Sequence, residues 1–375
     1  MMRPLVLSIA LLAAHAACAQ DALVLRSYEA APAGDALDAG PQGIRVRTEA
    51  GVVVVGWDRV LRAPSALGVD EAQLARGRAI WRARTRVERG DRVLAEPILE
   101  RLFAEPAART GPTRLVVAEG LLRCRLARGA TAAAVEPWLA WLDASAVREP
   151  NTAYAGRDWS ARAGLAGVTD DATELCPQLP PMWLGTTAAP LVLGLEPIEG
   201  ERAKTAALRR LYQASLEHEL GRSIGELPEA NRDDGVALVR EIVAARAGDD
   251  AERNAARAKL GRRLESARGW RRAWVLAGLG RSLVAEDDRE SRLRGVARLL
   301  RVNLLHRRHA PTLADIALAE AAVVLDRLGE NDAARRLAAD LQRRHSDASV
   351  LAWPPLADLL DATAADPRPA GGSPQ

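Results

Sequence analysis

The chain has 375 residues, of which 48% are hydrophobic and 27% are charged, a composition typical of globular proteins. Its 52 Lys and Arg residues against 49 Asp and Glu residues leave a net charge of only +3. This near balance argues against a nucleic-acid-binding protein and against a polybasic membrane-surface protein, so we expect no nucleic-acid partner.

The first 19 residues have the pattern of a secretory signal peptide. Arg3 supplies a positive start, residues 5–14 form a short apolar run, and residues 17–19 (Ala-Cys-Ala) are small, as at a cleavage site. The run is shorter than the roughly 20 residues that span a bilayer, so we expect no transmembrane segment. We predict an exported protein, periplasmic or extracellular, cleaved after residue 19. The alternative is a lipid anchor at Cys18, but His15 stands where bacterial lipoprotein signals have a branched aliphatic residue.

Export places the chain in an oxidising environment, where two cysteines often join in a disulfide. Once Cys18 is removed with the signal peptide, Cys124 and Cys176 remain as the candidate disulfide pair. The alternative is two buried thiols, Cys124 in a helix and Cys176 in a loop. Two cysteines without a nearby histidine do not make a four-ligand zinc site, so we expect no metal there.

Residues 20–66 predict a small β-element. Short β-branched or alternating runs occur at residues 23–25, 44–47 and 52–55, and glycines separate them. The Glu-Ala-Gly sequence between the second and third runs predicts a tight hairpin turn. Three strands alone are marginally stable, so we expect this sheet to pack against the helices that follow.

Residues 67–144 predict four amphipathic helices, and residues 201–365 predict a second helical region. The predicted helices cover residues 70–90, 92–104, 112–129, 131–144, 201–220, 229–247, 250–268, 270–284, 290–305 and 354–364. Because the connections between them are short, neighbouring helices are expected to pack antiparallel. Residues 366–375 are rich in Pro, Gly and Ser and predict a disordered tail.

Residues 145–200 interrupt the helices with a long irregular insertion, because its prolines and glycines exclude long helices. A segment of this length without regular structure is unusual inside a compact domain and is often functional. Trp159 and Trp183 make it too apolar for a free linker, so we expect it to be ordered over the helices. These two tryptophans are the candidates for a partner or ligand surface.

Three glycines are followed by small or apolar residues at the same spacing. The residues 5, 9 and 12 positions after Gly90 are Ala95, Leu99 and Leu102. After Gly129 they are Ala134, Trp138 and Trp141, and after Gly329 they are Ala334, Ala338 and Leu341. A glycine of this kind ends one helix, and a small residue early in the next helix allows the two to cross closely. The two later positions fall on one face of the second helix.

This pattern resembles the tetratricopeptide repeat, a helix–turn–helix unit that stacks into a superhelix. The best copy, residues 318–341, lacks the aromatic residues and the closing proline of that family, and the first two copies lie 39 residues apart, longer than its usual period. The resemblance implies an α-solenoid of antiparallel helix pairs. The expected fold is therefore mainly α, with a small N-terminal β-element and a long irregular insertion.

No catalytic, cofactor or metal motif stands in the setting that its chemistry needs. Residues 221–225 spell Gly-Arg-Ser-Ile-Gly, but a nucleophile elbow at Ser223 needs a preceding strand, and here a helix ending at Gly221 is predicted. His306 and His309 flank two arginines, which oppose a metal cation, so a cationic helix end is the simpler interpretation. We predict no enzyme activity and no cofactor.

The helix pairs favour an exported, non-enzymatic scaffold protein that binds protein partners of unknown identity. The alternative is an envelope-associated hydrolase or glycan-binding protein with its site in residues 145–200, because Trp159 and Trp183 lie there. The repeat residues are packing residues, so the resemblance carries architecture and identifies no partner.

Overall fold

A computed structural model describes residues 22–105, 111–145, 152–198, 200–345 and 349–365. The predicted signal peptide, Cys18 and the predicted tail lie outside these residues. The described part is mainly helical, with 14 helices and a small β-element near the N-terminus, which confirms the predicted fold class at that level. None of the described helices is both long and apolar enough to cross a membrane.

The chain forms two compact units, which are described separately. The first combines the described residues up to Arg128 with Pro137–Gly167, and the second combines Gly129–Glu136 with the described residues from Val168 onward. The predicted boundary after residue 66 therefore falls inside the first unit, which contains both the β-element and the first helices.

The strands are β1 (Val24–Leu25), β2 (Asp35–Gly40), β3 (Gly43–Thr48), β4 (Gly51–Val55), β5 (Val60–Arg62) and β6 (Thr152–Ala155). The first seven helices are α1 (Glu71–Glu88), α2 (Arg92–Ala104), α3 (Gly111–Ala127), α4 (Thr131–Ser145), α5 (Trp159–Arg162), α6 (Ala189–Leu193) and α7 (Ala203–Glu219). The others are α8 (Asp234–Ala247), α9 (Asp250–Ser266), α10 (Gly269–Val284), α11 (Arg289–His306), α12 (Pro311–Arg327), α13 (Asn331–Arg344) and α14 (Pro354–Ala365).

The first unit contains a four-stranded sheet in the order β2-β3-β4-β6. The predicted hairpin is present, because β3 and β4 pair antiparallel with Thr48 opposite Gly51. The sheet gains a strand from the insertion, since β6 pairs parallel with β4 and Val52 lies opposite Thr152. The expectation that residues 145–200 lack regular structure is therefore wrong for this stretch. Four residues are too few for an alternating pattern to be recognised, and their partner strand lies far away in the chain.

Helices α1, α2 and α3 pack on one another in the first unit, and α3 also contacts strands β3, β4 and β6. Asp70 starts α1 as predicted, through a capping box in which its carboxylate accepts from Gln73 N and its own N–H donates to the Gln73 side chain. Trp57 is fully buried between these layers, and its indole N–H donates to Gly40 O at 3.0 Å. The sheet thus shares one core with the helices.

The second unit is a two-layered array of helices. Each helix from α7 to α14 packs on the next one in the chain, and alternate helices also meet in the pairs α8–α10, α10–α12 and α12–α14. Helices α8, α10, α12 and α14 therefore form one row, with α9, α11 and α13 outside it. The insertion is anchored to α7, where Ser215 Oγ donates to Pro181 O at 2.6 Å. It is also anchored to α10, where Trp274 Nε1 donates to Pro177 O at 3.1 Å.

The repeated glycines occupy the same kind of turn. Gly90, Gly129 and Gly329 have φ values of +82°, +72° and +80°, a left-handed conformation that glycine adopts without a Cβ penalty. At Gly90 the N–H of Asp91 donates to Arg86 O at 2.9 Å, and at Gly329 the N–H of Glu330 donates to Leu325 O at 2.9 Å. These bonds close a Schellman motif at both helix ends. The small residues at the shared spacing, Ala95, Ala134 and Ala334, are all fully buried.

Glycine also sets the distance between α10 and α11. A Cβ on Gly295 would lie 2.7 Å from Val284 Cγ1 and 2.8 Å from Gly280 O, and one on Gly280 would lie 2.9 Å from Leu299. Real Cβ atoms do not approach other atoms so closely, so the two helices cross with backbone against backbone. A larger residue at either position would force the helices apart.

We therefore expect Gly295→Ala to lower the free energy of unfolding by about 1–3 kcal/mol, the usual effect of overpacking a close contact. Urea denaturation followed by far-UV circular dichroism measures the change. The matched control is Gly261→Ala in α9, where a Cβ would have nothing within 4 Å. That control should gain stability, by up to about 1 kcal/mol, because alanine favours helix. Equal effects of the two substitutions would contradict the close crossing.

Candidate functional site

The two tryptophans proposed as a ligand surface are buried. Trp159 lies in α5 of the first unit and is 1% exposed, and Trp183 lies in the second unit and is 6% exposed. Trp183 packs edge to face against Tyr212, with ring centroids 6.2 Å apart. The two rings therefore do not form an exposed partner surface, and any ligand that contacts them would have to do so inside the protein. Large aromatic residues in an ordered insertion serve to anchor it, because burying them is strongly favourable.

Trp159 nevertheless lines a polar cavity of about 200 Å³ that lies entirely within the first unit. We call it the first-unit pocket. Its lining residues are Glu29, Arg59, Arg84, Glu88, Gly156, Trp159, Arg162 and Ala163. Half of these residues belong to the predicted insertion, so the insertion contributes to this cavity.

The lining residues come from four stretches of the chain: Glu29, Arg59, helix α1 and residues 156–163. Arg59 stands in the turn between β4 and β5, while Arg84 and Glu88 are one helical turn apart on α1. Gly156 follows β6 directly and has a φ of +76°, and a Cβ there would lie 2.9 Å from Arg59 Cδ. The glycine therefore allows the chain to turn from the sheet into α5 while passing close to the arginine.

Ion pairs hold the arginines of the pocket. Arg59 donates to Glu29 through Nε, at 2.7 Å, and through Nη2. Arg84 donates from Nε to Glu88 Oε1 at 2.8 Å and from Nη1 to Asp58 Oδ2 at 2.7 Å. Arg59 and Arg84 are mostly buried, whereas about a quarter of each glutamate side chain is exposed. Arg59 and Arg84 are thus the more buried of these charged lining residues, and Glu29 and Glu88 the more exposed.

The Asp58 carboxylate, which pairs with Arg84, is strongly desolvated. Burial raises the pKa of Asp58 above its ordinary value, although the neighbouring charge and hydrogen bonds of Arg84 act in the opposite direction. Burial alone would lower the pKa of Arg84, but Asp58 and Glu88 outweigh it and the pKa is raised. Arg84 therefore stays charged, and its guanidinium also lies 5.9 Å from the centre of the Trp159 ring.

The second unit carries a surface feature on α11 that we call the α11 stripe. It consists of Leu293, Ala297, Leu300 and Leu304, spaced 4, 3 and 4 residues apart on one helix face. Leu304 is 78% exposed and the adjacent Leu305 is 65% exposed. The opposite face of α11 supplies buried residues such as Leu299 and Val302, so this helix has two apolar faces, of which one is outside the core.

Arginines run along one side of the α11 stripe: Arg294, Arg298 and Arg301. Arg298 and Arg301 have no ion-pair partner in the described part of the chain. The pKa of Arg298 is lowered, first by partial burial and then by the positive charges of Arg301 and Arg294. This face therefore combines exposed leucines with a concentrated positive charge.

A buried charge network ties the insertion to the second unit. Arg281 in α10 is 4% exposed and contacts Glu320 Oε2 at 2.8 Å, Glu219 Oε1 at 3.1 Å and Trp183 O at 2.9 Å. Arg246 contacts the same Glu219 oxygen at 3.1 Å. The adjoining cavity measures only about 10 Å³, room for one water, so the network is a packing element rather than a ligand site.

The remaining motifs have structural roles. Gly221 ends α7 with a φ of +69°, and Arg222 N donates to Glu217 O at 2.9 Å, which confirms the predicted helix end before Ser223. His306 is buried, and burial followed by the charge of Arg272 lowers its pKa, so it is neutral at pH 7 rather than part of a cationic helix end. No cluster of three metal-ligating side chains occurs among the described residues.

Cys124 and Cys176 are both buried thiols in the structure. Cys124 lies in α3 of the first unit and Cys176 in the second unit. Burial is the main reason that the pKa of Cys124 is raised to about 12, with Glu96 adding to the effect. The structure thus favours the buried-thiol interpretation over the candidate disulfide.

Comparison of the chain with protein-family models, curated proteins and solved structures found no match. Sequence reasoning had missed both the first-unit pocket and the α11 stripe. The stripe has a signal in the sequence, because α11 carries apolar residues at two sets of helical positions. The pocket has none, since its residues come from four separate stretches between Glu29 and Ala163.

We expect Arg281→Met to lower the free energy of unfolding of the second unit by about 3–5 kcal/mol, because it leaves the buried Glu320 and Glu219 carboxylates without their shared partner. Arg289→Met is the matched control, since Arg289 pairs with Glu330 where both side chains are about half exposed. That control should change stability by about 0.5 kcal/mol or less. Chemical denaturation of both variants measures the difference, and similar losses would contradict the burial of the Arg281 network.

We further expect a protein that begins at residue 20, and so excludes Cys18, to resist alkylation while folded. At neutral pH the Cys124 thiol is protonated and buried, and the protonated form is a poor nucleophile. After denaturation without reductant, mass spectrometry after iodoacetamide treatment should detect two modified cysteines. A denatured, unreduced sample that takes up no label, while a reduced one takes up two, would establish a disulfide between Cys124 and Cys176.

Proposed function

We propose that this protein is an exported, non-enzymatic interaction protein built on tetratricopeptide-like helix pairs, which stack as a solenoid in its second unit. The turns at Gly90 and Gly329 support the proposal, because both close the same Schellman motif and both are followed by a buried alanine at the same spacing. The two-layered order of α8 to α14 also supports it, since alternate helices of a solenoid form its two rows.

The observation that carries the binding function is the α11 stripe with its flanking arginines. Spacings of 4, 3 and 4 residues make a seam into which a second helix packs its own apolar residues. A single exposed leucine needs no explanation, but a continuous seam along one helix marks an interaction surface. The partner is therefore a helix with an apolar stripe of its own.

The charge beside the seam determines the chemistry of that partner. Arg294, Arg298 and Arg301 attract Asp and Glu side chains and repel another basic helix. A second copy of α11 would place these arginines against each other, so self-association through this face is disfavoured. We infer an acidic amphipathic helix of a different protein as the occupant.

Photo-crosslinking from the stripe tests the proposal. A benzoyl-phenylalanine at position 304 in cells that make the protein is expected to capture one partner, through a peptide rich in Leu and in Asp or Glu. The same amino acid at position 258, an exposed site on α9, is the control and should capture nothing above background. Arg294→Glu combined with Arg301→Glu should reduce the capture at least tenfold by reversing the local charge.

The proposal fails if positions 304 and 258 capture the same proteins, or if neither captures any. It also fails if the charge reversal leaves the capture unchanged. Binding of the purified protein to vesicles of phosphatidylglycerol, lost on the same charge reversal and without a protein crosslink, would instead identify an anionic membrane surface as the target of α11.

A further inference from the structure

The first-unit pocket has hydrogen-bonding groups that the protein itself does not use. The bonds of Arg59 involve Nε and Nη2, and those of Arg84 involve Nε and Nη1. Arg59 Nη1 and Arg84 Nη2 therefore have no acceptor among the described residues. On the glutamates, Glu29 Oε1 and Glu88 Oε2 are equally without a donor there.

A third unused group is the indole of Trp159. Its Nε1 is buried and has no hydrogen-bond partner within the described part of the chain. Buried indole N–H groups nearly always have an acceptor, because leaving one unsatisfied costs free energy. The residue also lines the pocket, so its ring borders the space that a ligand would fill.

The size of the pocket limits its occupant. Its volume of about 200 Å³ is more than ten times the roughly 10–15 Å³ that one water needs. It is smaller than the roughly 300–1,000 Å³ that is usual for drug-sized ligands. The pocket therefore suits a molecule of about one six-membered ring with its substituents.

The charge of the pocket limits the occupant further. Each of the three lining arginines already has a carboxylate partner: Arg59 pairs with Glu29, Arg84 with Glu88 and Asp58, and Arg162 with Asp158. No excess positive charge remains to attract an anion. A charged ligand would have to compete with existing ion pairs, whereas hydroxyl groups can both donate to the free carboxylate oxygens and accept from the free guanidinium N–H groups.

We propose that the first-unit pocket binds a small, uncharged, polyhydroxylated ligand, namely a single sugar ring. Hydroxyl oxygens of the sugar accept from Arg59 Nη1 and Arg84 Nη2, hydroxyl hydrogens bond to Glu29 and Glu88, and the Trp159 ring borders the sugar. All lining residues of this site belong to the first unit, so the sugar-binding proposal does not depend on the proposed function of the α11 stripe.

Ligand-observed NMR with glucose, galactose, mannose and N-acetylglucosamine tests this inference on the full mature chain. Saturation transfer should detect at least one of these sugars, and titration gives its Kd. Ala163→Phe fills the pocket from its rim, where Ala163 is exposed, and should weaken binding at least tenfold. Ala161→Phe, on the exposed side of α5 and outside the lining, is the matched control and should stay within twofold of the wild type.

Glu88→Gln gives a second measurement that does not depend on steric filling. It retains an oxygen for Arg84 while removing the charge, so binding should weaken several-fold with little change in the thermal unfolding midpoint. Failure of all four sugars to bind at about 20 mM would overturn the proposal. So would unchanged binding in Ala163→Phe, or displacement of the sugar by glycine or inorganic phosphate, which would identify a charged ligand instead.

Discussion

A helix that ends in a left-handed glycine and restarts within two residues must fold back along itself, and this constraint organises much of the helical structure. At Gly90 and Gly329 the Schellman hydrogen bonds turn the chain, and the alanine five residues later lets the second helix lie close to the first. In the second unit, Gly329 makes one of the chain reversals that place successive helices in alternate rows. Helices α9, α11 and α13 lie outside the row formed by α8, α10, α12 and α14. Each of them buries the face toward that row and has an opposite face that the row does not cover. Among the described residues of α9, α11 and α13, exposed large hydrophobic side chains occur on α11.

Arginine serves two different purposes in the two units. Arg281 donates through Nε and Nη2 to Glu320, Glu219 and the Trp183 carbonyl, and the space beside it holds only about one water. Arg59 and Arg84 are held as firmly by carboxylates, but they line a cavity of about 200 Å³. The first network specifies how helices pack, whereas the other two arginines have both space and unused N–H groups beside them for another molecule.

The helices were largely predictable and the sites were not. The helix α2 has the predicted bounds of Arg92 and Ala104, because glycine, capping residues and helical periodicity are local signals. Strand β2 (Asp35–Gly40) was missed, since its sequence has no β-branched or aromatic residue and it forms only by pairing with β3. Trp159 was singled out correctly as unusual, but the sequence does not show that its ring is buried. Of the five charged residues that line the pocket with it, Glu29, Arg59, Arg84 and Glu88 meet it only through the tertiary fold.

The parallel pairing of β4 with β6 has a consequence for the order in which the first unit forms. Val52 lies opposite Thr152, 100 residues later, so the sheet remains open along β4 until the chain has passed through four helices. Pairing across so long a stretch forms slowly, because loop closure opposes it until the intervening helices are in place. During that interval β4, which reads Gly-Val-Val-Val-Val, is an uncovered edge of high β-propensity. We therefore expect the chain to be prone to aggregation before β6 pairs with β4. Once β6 has paired, it covers the β4 edge and removes that site of intermolecular pairing.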